Sequence, residues 1–226
     1  MLNAAYNILL MLIEPTLSTL YMVAGATVFS LILGFPLGIL LCVTSAGNLI
    51  PQILFNKILE KITNILRSFP FIILMIIVFP LSRFIVGTSI GTAAAIVPLS
   101  IAAMPFVARI IKSALKEVNP EIIQAAKVMG SSNRQIIFKV MLPEAYPALI
   151  AGITLTIINI IGYAAMAGSM GGGGLGDLAI RYGYQRFRLD VMIGAVLVII
   201  IMVEFVQFLG DKMVHTIMKR RGLEIK

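Results

Sequence analysis

The chain has 226 residues, of which 59% are apolar and 12% charged, and its mean hydropathy is +1.02. A soluble domain carries about 25% charged residues, so this composition excludes a soluble globular protein, and the apolar content also excludes a disordered chain. The single cysteine, Cys42, excludes an intrachain disulfide and a cysteine metal cluster, and the single histidine, His215, excludes a multi-histidine metal site. The remaining class is an all-α protein that crosses a membrane several times.

Five apolar stretches follow one another in chain order. A spanning helix needs roughly 20 mainly apolar residues, and charged side chains mark where such stretches end. The predicted spans cover residues 17–43, 65–81, 90–111, 147–167 and 191–210. They form one transmembrane domain over residues 1–226, and their odd number puts the two termini on opposite sides of the membrane.

The net charge of +8 would suggest nucleic acid as the partner of a soluble protein, but beside membrane spans Lys and Arg set the orientation. When the segment between the third and fourth spans faces the cytoplasm, all basic residues lie inside except Arg83, Arg181, Arg186 and Arg188. The positive-inside rule therefore predicts the orientation of this multi-pass membrane protein. Its N-terminus is predicted outside and its C-terminus inside, in contact with membrane lipid and not with nucleic acid.

The one long polar segment, residues 119–143, is predicted to form two short helices. Asn119 is suited to cap the first helix and Gly130 to end it. Ser132 and Gln135 have the spacing of a capping box that starts the second helix. Such a helix pair is typical of a docking surface for a cytoplasmic partner, and the alternative is an amphipathic pair lying on the membrane. The apolar sides of the two helices consist of Ile122, Ala125, Ala126, Met129, Ile136, Ile137, Val140 and Met141.

The same segment carries a spaced motif. Gln124-Ala125-Ala126, three residues, Gly130, nine residues, Val140, one residue and Leu142-Pro143 resembles the EAA motif of ABC importer permeases. Gln124 stands where the family has Glu, so the negative charge at that position is missing. Val140 replaces Ile, which is a mild change. We refer to residues 119–143 as the coupling segment. The resemblance implies that ATPase coupling depends on Gln124, Ala125, Ala126, Gly130, Leu142 and Pro143.

The resemblance covers nearly the whole chain, from about residue 16 to 219. Segments 67–74, 86–91, 94–99, 162–168, 171–176 and 207–211 are similar to the membrane subunit of methionine ABC importers. That family implies a five-span type I importer permease of a bacterial cytoplasmic membrane, which acts as a homodimer with two cytoplasmic ATPase subunits and an external methionine-binding protein. It places ATP on the ATPase subunits and implies no catalytic residue, cofactor or metal in this chain.

Two residues of the fourth span bear on transport. Tyr163 and Met166 are three residues apart and share one helix face, which in the family lines the central pathway. A polarizable Met suits contact with a thioether substrate, and ordinary packing is the alternative.

The run 168–174 contains five glycines, each costing about 1 kcal/mol against Ala inside a helix. It lacks the phosphate-binding pattern and is predicted to form a flexible outer turn near the mouth of the pathway.

Small residues and prolines predict how the spans pack and bend. Gly34 and Gly38 have the GxxxG spacing that allows close helix contact. We expect that contact within the chain, with a dimer interface as the alternative. Prolines in or beside the second and third spans permit bending during transport, or are kinks with no role in motion; they are Pro70, Pro80, Pro98 and Pro105.

Glu204 is the only carboxylate within an apolar span. Because a charged side chain deep in a membrane helix costs about 2.5–3.5 kcal/mol, a partner or a proton is expected, and Asn159 in the fourth span is the candidate. We expect a structural hydrogen bond between the two helices. The alternative function is a proton-coupled secondary transporter with Glu204 as its proton site, and a further alternative is a purely structural or assembly subunit.

Overall fold

The computed structural model describes residues 2–222, and all of its regular structure over that range is helical, as the predicted all-α class requires. The helices are α1 (Leu2–Val43), α2 (Ile53–Ser68), α3 (Phe71–Val86), α4 (Thr92–Lys116), α5 (Pro120–Val128), α6 (Asn133–Gln135), α7 (Leu142–Glu144), α8 (Tyr146–Ala167), α9 (Gly174–Leu178) and α10 (Leu189–Arg220). Wider, π-helical turns occupy Ile136–Met141, Gly168–Gly172 and Ala179–Tyr184. Residues 133–144 are thus one helical stretch with a π-turn in its middle.

Four helical stretches in the described range are each long and apolar enough to cross a membrane: Ile8–Val43, Thr92–Lys116, Tyr146–Gly172 and Leu189–Arg220. A fifth candidate is the pair α2 and α3, which are bent by 104° at the break between them. Alone, α3 has 16 residues and at 1.5 Å per residue is about 24 Å long, which is shorter than the hydrocarbon core of roughly 30 Å. The count of five spans stays a prediction that depends on α3.

The structure differs from the sequence prediction at several span ends. The predicted second span, 65–81, is wrong as one segment because Phe69 and Pro70 adopt extended conformations inside it, with ψ of 127° and 132°. Proline disfavours the helical conformation of the residue before it, so α2 ends at Ser68. At the chain ends the helices are longer than predicted: α1 continues through Glu14 toward the N-terminus, and α10 continues to Arg220.

The bundle is built on the close contact of α1 with α4. A Cβ atom on Gly34 would lie 2.7 Å from the carbonyl oxygen of Met104, and one on Gly38 would lie 2.7 Å from that of Ala108. Only glycine allows the two backbones to approach so closely. The expected contact of the GxxxG pair within the chain is therefore confirmed.

Three apolar clusters fill the bundle of the described residues. One joins α1, α3, α4 and α8 around buried residues such as Met75, Leu99 and Ile160, and a smaller one joins α1, α9 and α10. The third joins the C-terminal ends of α1 and α4 to the coupling segment through residues such as Val43, Leu115 and Met141. The coupling segment is therefore part of a packed core and not an appended loop.

Candidate coupling surface and transport pathway

The first helix of the coupling segment has the predicted caps. The side-chain oxygen of Asn119 accepts a hydrogen bond from the backbone N–H of Glu121 at 2.9 Å. At the other end Gly130 has a φ of +78°, and a Cβ atom there would meet nothing within 4 Å. The need for glycine is thus a matter of backbone conformation, because other residues adopt this left-handed region at a cost.

The second helix starts at the predicted capping box. The backbone N–H of Ser132 donates to Oε1 of Gln135 at 2.8 Å, and the backbone N–H of Gln135 donates to Oγ of Ser132 at 3.4 Å. Two N–H groups at the start of the helix are satisfied in this way. The two caps and Gly130 together set the angle at which the second helix follows the first.

One side of the coupling segment is buried against the bundle. Ile136 and Met141 are fully buried, and Ala126 on α5 is 3% exposed. They pack with Val43 at the end of α1 and with Leu115 near the end of α4. Any displacement of the coupling segment therefore acts directly on the ends of these two long helices.

The opposite side of the coupling segment is exposed and partly apolar. Val128 and Met129 are 83% and 78% exposed, and Phe138 is 61% exposed. The prediction that Ile122, Ala125, Ala126 and Met129 lie on one side is wrong for Ala126, which faces the bundle while the other three are exposed. Large exposed apolar side chains beside polar ones are typical of a protein contact surface.

Gln124 lines a cavity of about 570 Å³ between α5 and the loop that follows α1. The lining includes the side chains of Lys116 and Lys127 but no carboxylate. The EAA motif has Glu at the position of Gln124, and a glutamate there would place a carboxylate beside these two lysines. The glutamine therefore leaves a cationic cavity under the coupling helix.

The end of the coupling segment is tied to the C-terminal end of α10. Leu142 is buried, and Pro143 is half-buried. The guanidinium of Arg221 donates to the carbonyl oxygens of Pro143 and Glu144 and lies 3.5 Å from the Glu144 carboxylate. Sequence reasoning missed Arg221, because nothing local links residues so far apart in the chain.

The predicted pathway residues lie on one side of α8 but in different surroundings. Tyr163 is half-buried and stacks on Phe71 of α3, with ring centroids 4.7 Å apart and planes within 7°. Met166 is 49% exposed. It continues an exposed stripe of α8, which consists of Ala151, Leu155, Asn159, Gly162 and Met166.

The glycine run 168–174 does end α8, because Met170 and Gly171 leave the helical region. The expected flexible turn is wrong, since Gly168, Gly172 and Gly174 are buried. A Cβ on Gly174 would lie 2.5 Å from Oγ1 of Thr19, and that hydroxyl accepts a hydrogen bond from the N–H of Leu175 at 2.9 Å. The run is therefore a packed turn that fastens α9 against α1.

Comparison with known proteins identifies the family to which this chain belongs. Residues 34–221 match the family described as binding-protein-dependent transport system inner membrane component. The chain belongs to this family. It is therefore a transport subunit of a bacterial inner membrane, with several apolar helices across that membrane.

Individual relatives are similar over most of their length. The chain is 46% identical to the protein named probable D-methionine transport system permease protein MetI of Vibrio cholerae, over 92% of each chain. It is 45% identical to the methionine import system permease protein MetP of Bacillus subtilis, over 80% of this chain and 82% of that protein. It is also 44% identical to the D-methionine transport system permease protein MetI of Escherichia coli, over 70% and 73%.

Solved structures match the fold. A chain of the inward-facing MetNI methionine ABC transporter superimposes with a TM-score of 0.91 at 41% identity, covering 93% of this chain and 98% of that one. A second crystal form of the same transporter gives a TM-score of 0.87 at 42% identity, covering 88% and 93%. An amino acid ABC transporter at 16% identity gives 0.77, covering 94% and 97%, and shows a shared fold only.

For this inner-membrane component the expected hydrogen bond between Glu204 and Asn159 is wrong. Helices α8 and α10 are neighbours, but both side chains are exposed and do not bond to each other. Glu204 lies on the outward face of α10 with Ile201 and Phe205, whereas Met202 and Val206 pack inward. Nothing in the site or in the relatives supports the proton-coupled carrier.

Proposed function

We propose that the chain is the membrane subunit of an ABC importer that moves methionine into the cell. It acts as a homodimer with two cytoplasmic ATPase subunits and an external methionine-binding protein. The observation that carries the proposal is the 46% identity to a MetI permease over 92% of both chains. The match to MetNI at a TM-score of 0.91 supports the same assembly.

The coupling segment provides the mechanical link. Its exposed face, with Ala125 and Met129, docks on the ATPase, while its buried face is packed on α1 and α4. Closure of two ATPase subunits on ATP then moves the helix ends to which the coupling segment is fixed. ATP is bound by the partner, and the part played by this chain is to pass on the movement.

The orientation follows from the same contact. An ATPase in the cytoplasm requires the coupling segment inside, which puts the C-terminus of α10 inside and the N-terminus outside. The Arg221 contact with Pro143 and Glu144 supports this arrangement because it holds the end of α10 beside the coupling segment. The packed glycine turn then lies at the outer end of the bundle.

The exposed stripe of α8 is the proposed wall of the pathway. Met166 presents its thioether on this stripe, and Tyr163 holds α8 against α3 through its stack on Phe71. A thioether surface suits an apolar, sulfur-containing substrate. Substrate therefore passes the Met166 side of α8, with Tyr163 as a positioning residue.

Uptake of radiolabelled methionine tests the proposal in cells that lack other methionine importers and express this permease with its ATPase and binding protein. We expect ATP-dependent uptake that unlabelled methionine, but not leucine, competes away. Met166→Ala is expected to change the uptake rate or the uncoupled ATPase rate several-fold. Met213→Ala, at a similarly exposed position on α10, is the matched control and is expected to change neither.

If unlabelled methionine did not compete, the assignment of methionine as the substrate would be wrong. If Met166→Ala and Met213→Ala had the same uptake and ATPase rates, the pathway role of Met166 would be wrong.

A further inference from the structure

Helix α2 is amphipathic with its polar side turned inward. Asn56 and Thr63 are 7% and 5% exposed, whereas Leu54 and Ile58 on the opposite side are 76% and 52% exposed. This is the reverse of a helix on the surface of a soluble protein, which buries its apolar face. The surroundings of the exposed face are therefore apolar.

Polar contacts fix the rotation of α2. The side-chain amide of Asn56 donates to the carbonyl oxygen of Leu41 at 2.9 Å and to Oγ1 of Thr44 at 2.8 Å. Glu60 forms an ion pair with Lys112 of α4. Because these contacts hold the polar side on α1 and α4, the apolar side cannot turn toward the bundle.

The direction of α2 relative to the spans indicates what covers it. It is bent by 104° from α3 and so runs nearly perpendicular to that helix. It lies at the end of the bundle where α1 and α4 end, which is also the end that carries the coupling segment. A helix across the end of a spanning bundle lies along the membrane surface, where its apolar face enters the acyl boundary. The exposed apolar side chains are Ile53, Leu54, Phe55, Ile58, Ile62 and Ile65.

The charges of α2 fit an anionic surface. Lys57 and Lys61 are exposed and, at 100° per residue, lie on the border between the apolar and polar sides. The only acidic residue of α2, Glu60, is paired with Lys112. Between α2 and α4 a cavity of about 290 Å³ is lined by Arg109, Lys112 and Lys116 in addition to Glu60. The side chains around α2 therefore carry more positive than negative charge.

We propose that α2 is an interfacial helix that binds anionic phospholipid of the leaflet on the coupling-segment side. Its apolar face enters the acyl region, and Lys57 and Lys61 contact headgroup phosphates. That this leaflet is the cytoplasmic one rests on the proposed function, whereas the contact itself does not.

Lipid contact is measurable because the chain contains no tryptophan. Ile58→Trp places a single reporter on the apolar face, in the complete transporter reconstituted in vesicles, with the unmodified complex supplying the background of the partner subunits. Acyl-brominated phospholipids are expected to quench most of this emission. Phe138→Trp, on the exposed face of the coupling segment, is the matched control and should not be quenched. Absence of quenching at position 58 would overturn the proposal and indicate that a second copy or a partner subunit covers α2.

Headgroup preference tests the charged part in equal mixtures of phosphatidylglycerol and phosphatidylcholine, with one lipid brominated at a time. Each lysine near an anionic surface changes affinity by about fivefold. We expect brominated phosphatidylglycerol to quench the Ile58→Trp reporter at least twice as strongly as brominated phosphatidylcholine. In Lys57→Gln/Lys61→Gln this ratio should fall to about one, and Lys219→Gln, at the end of α10, should leave it unchanged.

A ratio of one in the Ile58→Trp complex, or no change in the double variant, would overturn the role of the lysines. Both readouts report lipid contact and not transport, so they stand even when the transported substrate is not methionine.

Discussion

The coupling segment and α2 lie at the same end of the bundle and are both amphipathic, yet they face opposite ways. The coupling segment buries apolar side chains such as Ile136 and Met141 against the bundle. Helix α2 buries Asn56 and Thr63 and exposes Leu54 and Ile58. An amphipathic pattern therefore shows that a helix has an apolar and a polar side. Whether lipid or water surrounds the helix determines which of the two sides is turned inward.

Hydrogen bonds and ion pairs explain why the polar side of α2 can be buried. The Asn56 amide satisfies the Leu41 carbonyl and the Thr44 hydroxyl, and Glu60 meets Lys112. In the coupling segment the caps satisfy backbone N–H groups at the helix starts, and the inward side consists of apolar side chains. The first arrangement suits contact with lipid, and the second suits contact with a protein in water.

The largest expected effect comes from a charge on the inward side of the coupling segment. Ala126→Asp would place a carboxylate in the cluster with Leu115 and Ile136 and cost about 3 kcal/mol. We expect the thermal midpoint of the purified permease to fall by roughly 10 °C and uptake to be lost. Ala125→Asp, on the exposed neighbour, should keep the thermal midpoint while ATPase binding weakens. Equal midpoints for both variants would refute the assignment of inward and outward sides.

A smaller effect is expected from Gly130→Asp. A side chain at φ +78° strains the turn between the two helices by about 1–2 kcal/mol. We expect the variant to insert normally but to retain about a tenth of the ATPase after affinity purification. Gly87→Asp carries similar strain at φ +84° at the other end of the bundle and serves as the control. Full ATPase retention by Gly130→Asp would remove the turn from the coupling role.

The smallest effect is expected from Gln124→Glu. The added carboxylate would face Lys116 and Lys127 in the cavity beside α5. Because partly exposed ion pairs are worth about 0–1 kcal/mol, uptake should stay within about threefold of the unmodified protein and depend more on salt. Gln185→Glu, at an exposed position before α10, is the control for adding one charge. Loss of uptake only in Gln124→Glu would show that the cavity requires a neutral side chain.

Local sequence patterns predicted the coupling segment well and the bundle less well. Asn119, Gly130 and Ser132 act through residues within four positions, so their roles can be derived from spacing alone. The error at Glu204 has a different origin, because which side of α10 packs inward depends on its contacts with α8 and α1. The packed state of Gly174 likewise depends on Thr19, which is distant in the chain. Pro70 indicates a helix break, but the apolar residues on both sides of it also fit one continuous span, and the sequence prediction followed the apolar residues.

The central claim is that ATP hydrolysis on a partner moves substrate through this chain. The most direct measurement is methionine uptake into vesicles that contain the purified permease and its ATPase, with the binding protein and either ATP or a proton gradient supplied. We predict uptake with ATP at equal pH on both sides, and the same rate in Glu204→Gln. Uptake driven by the proton gradient without ATP, and lost in Glu204→Gln while the complex stays assembled, would contradict the account.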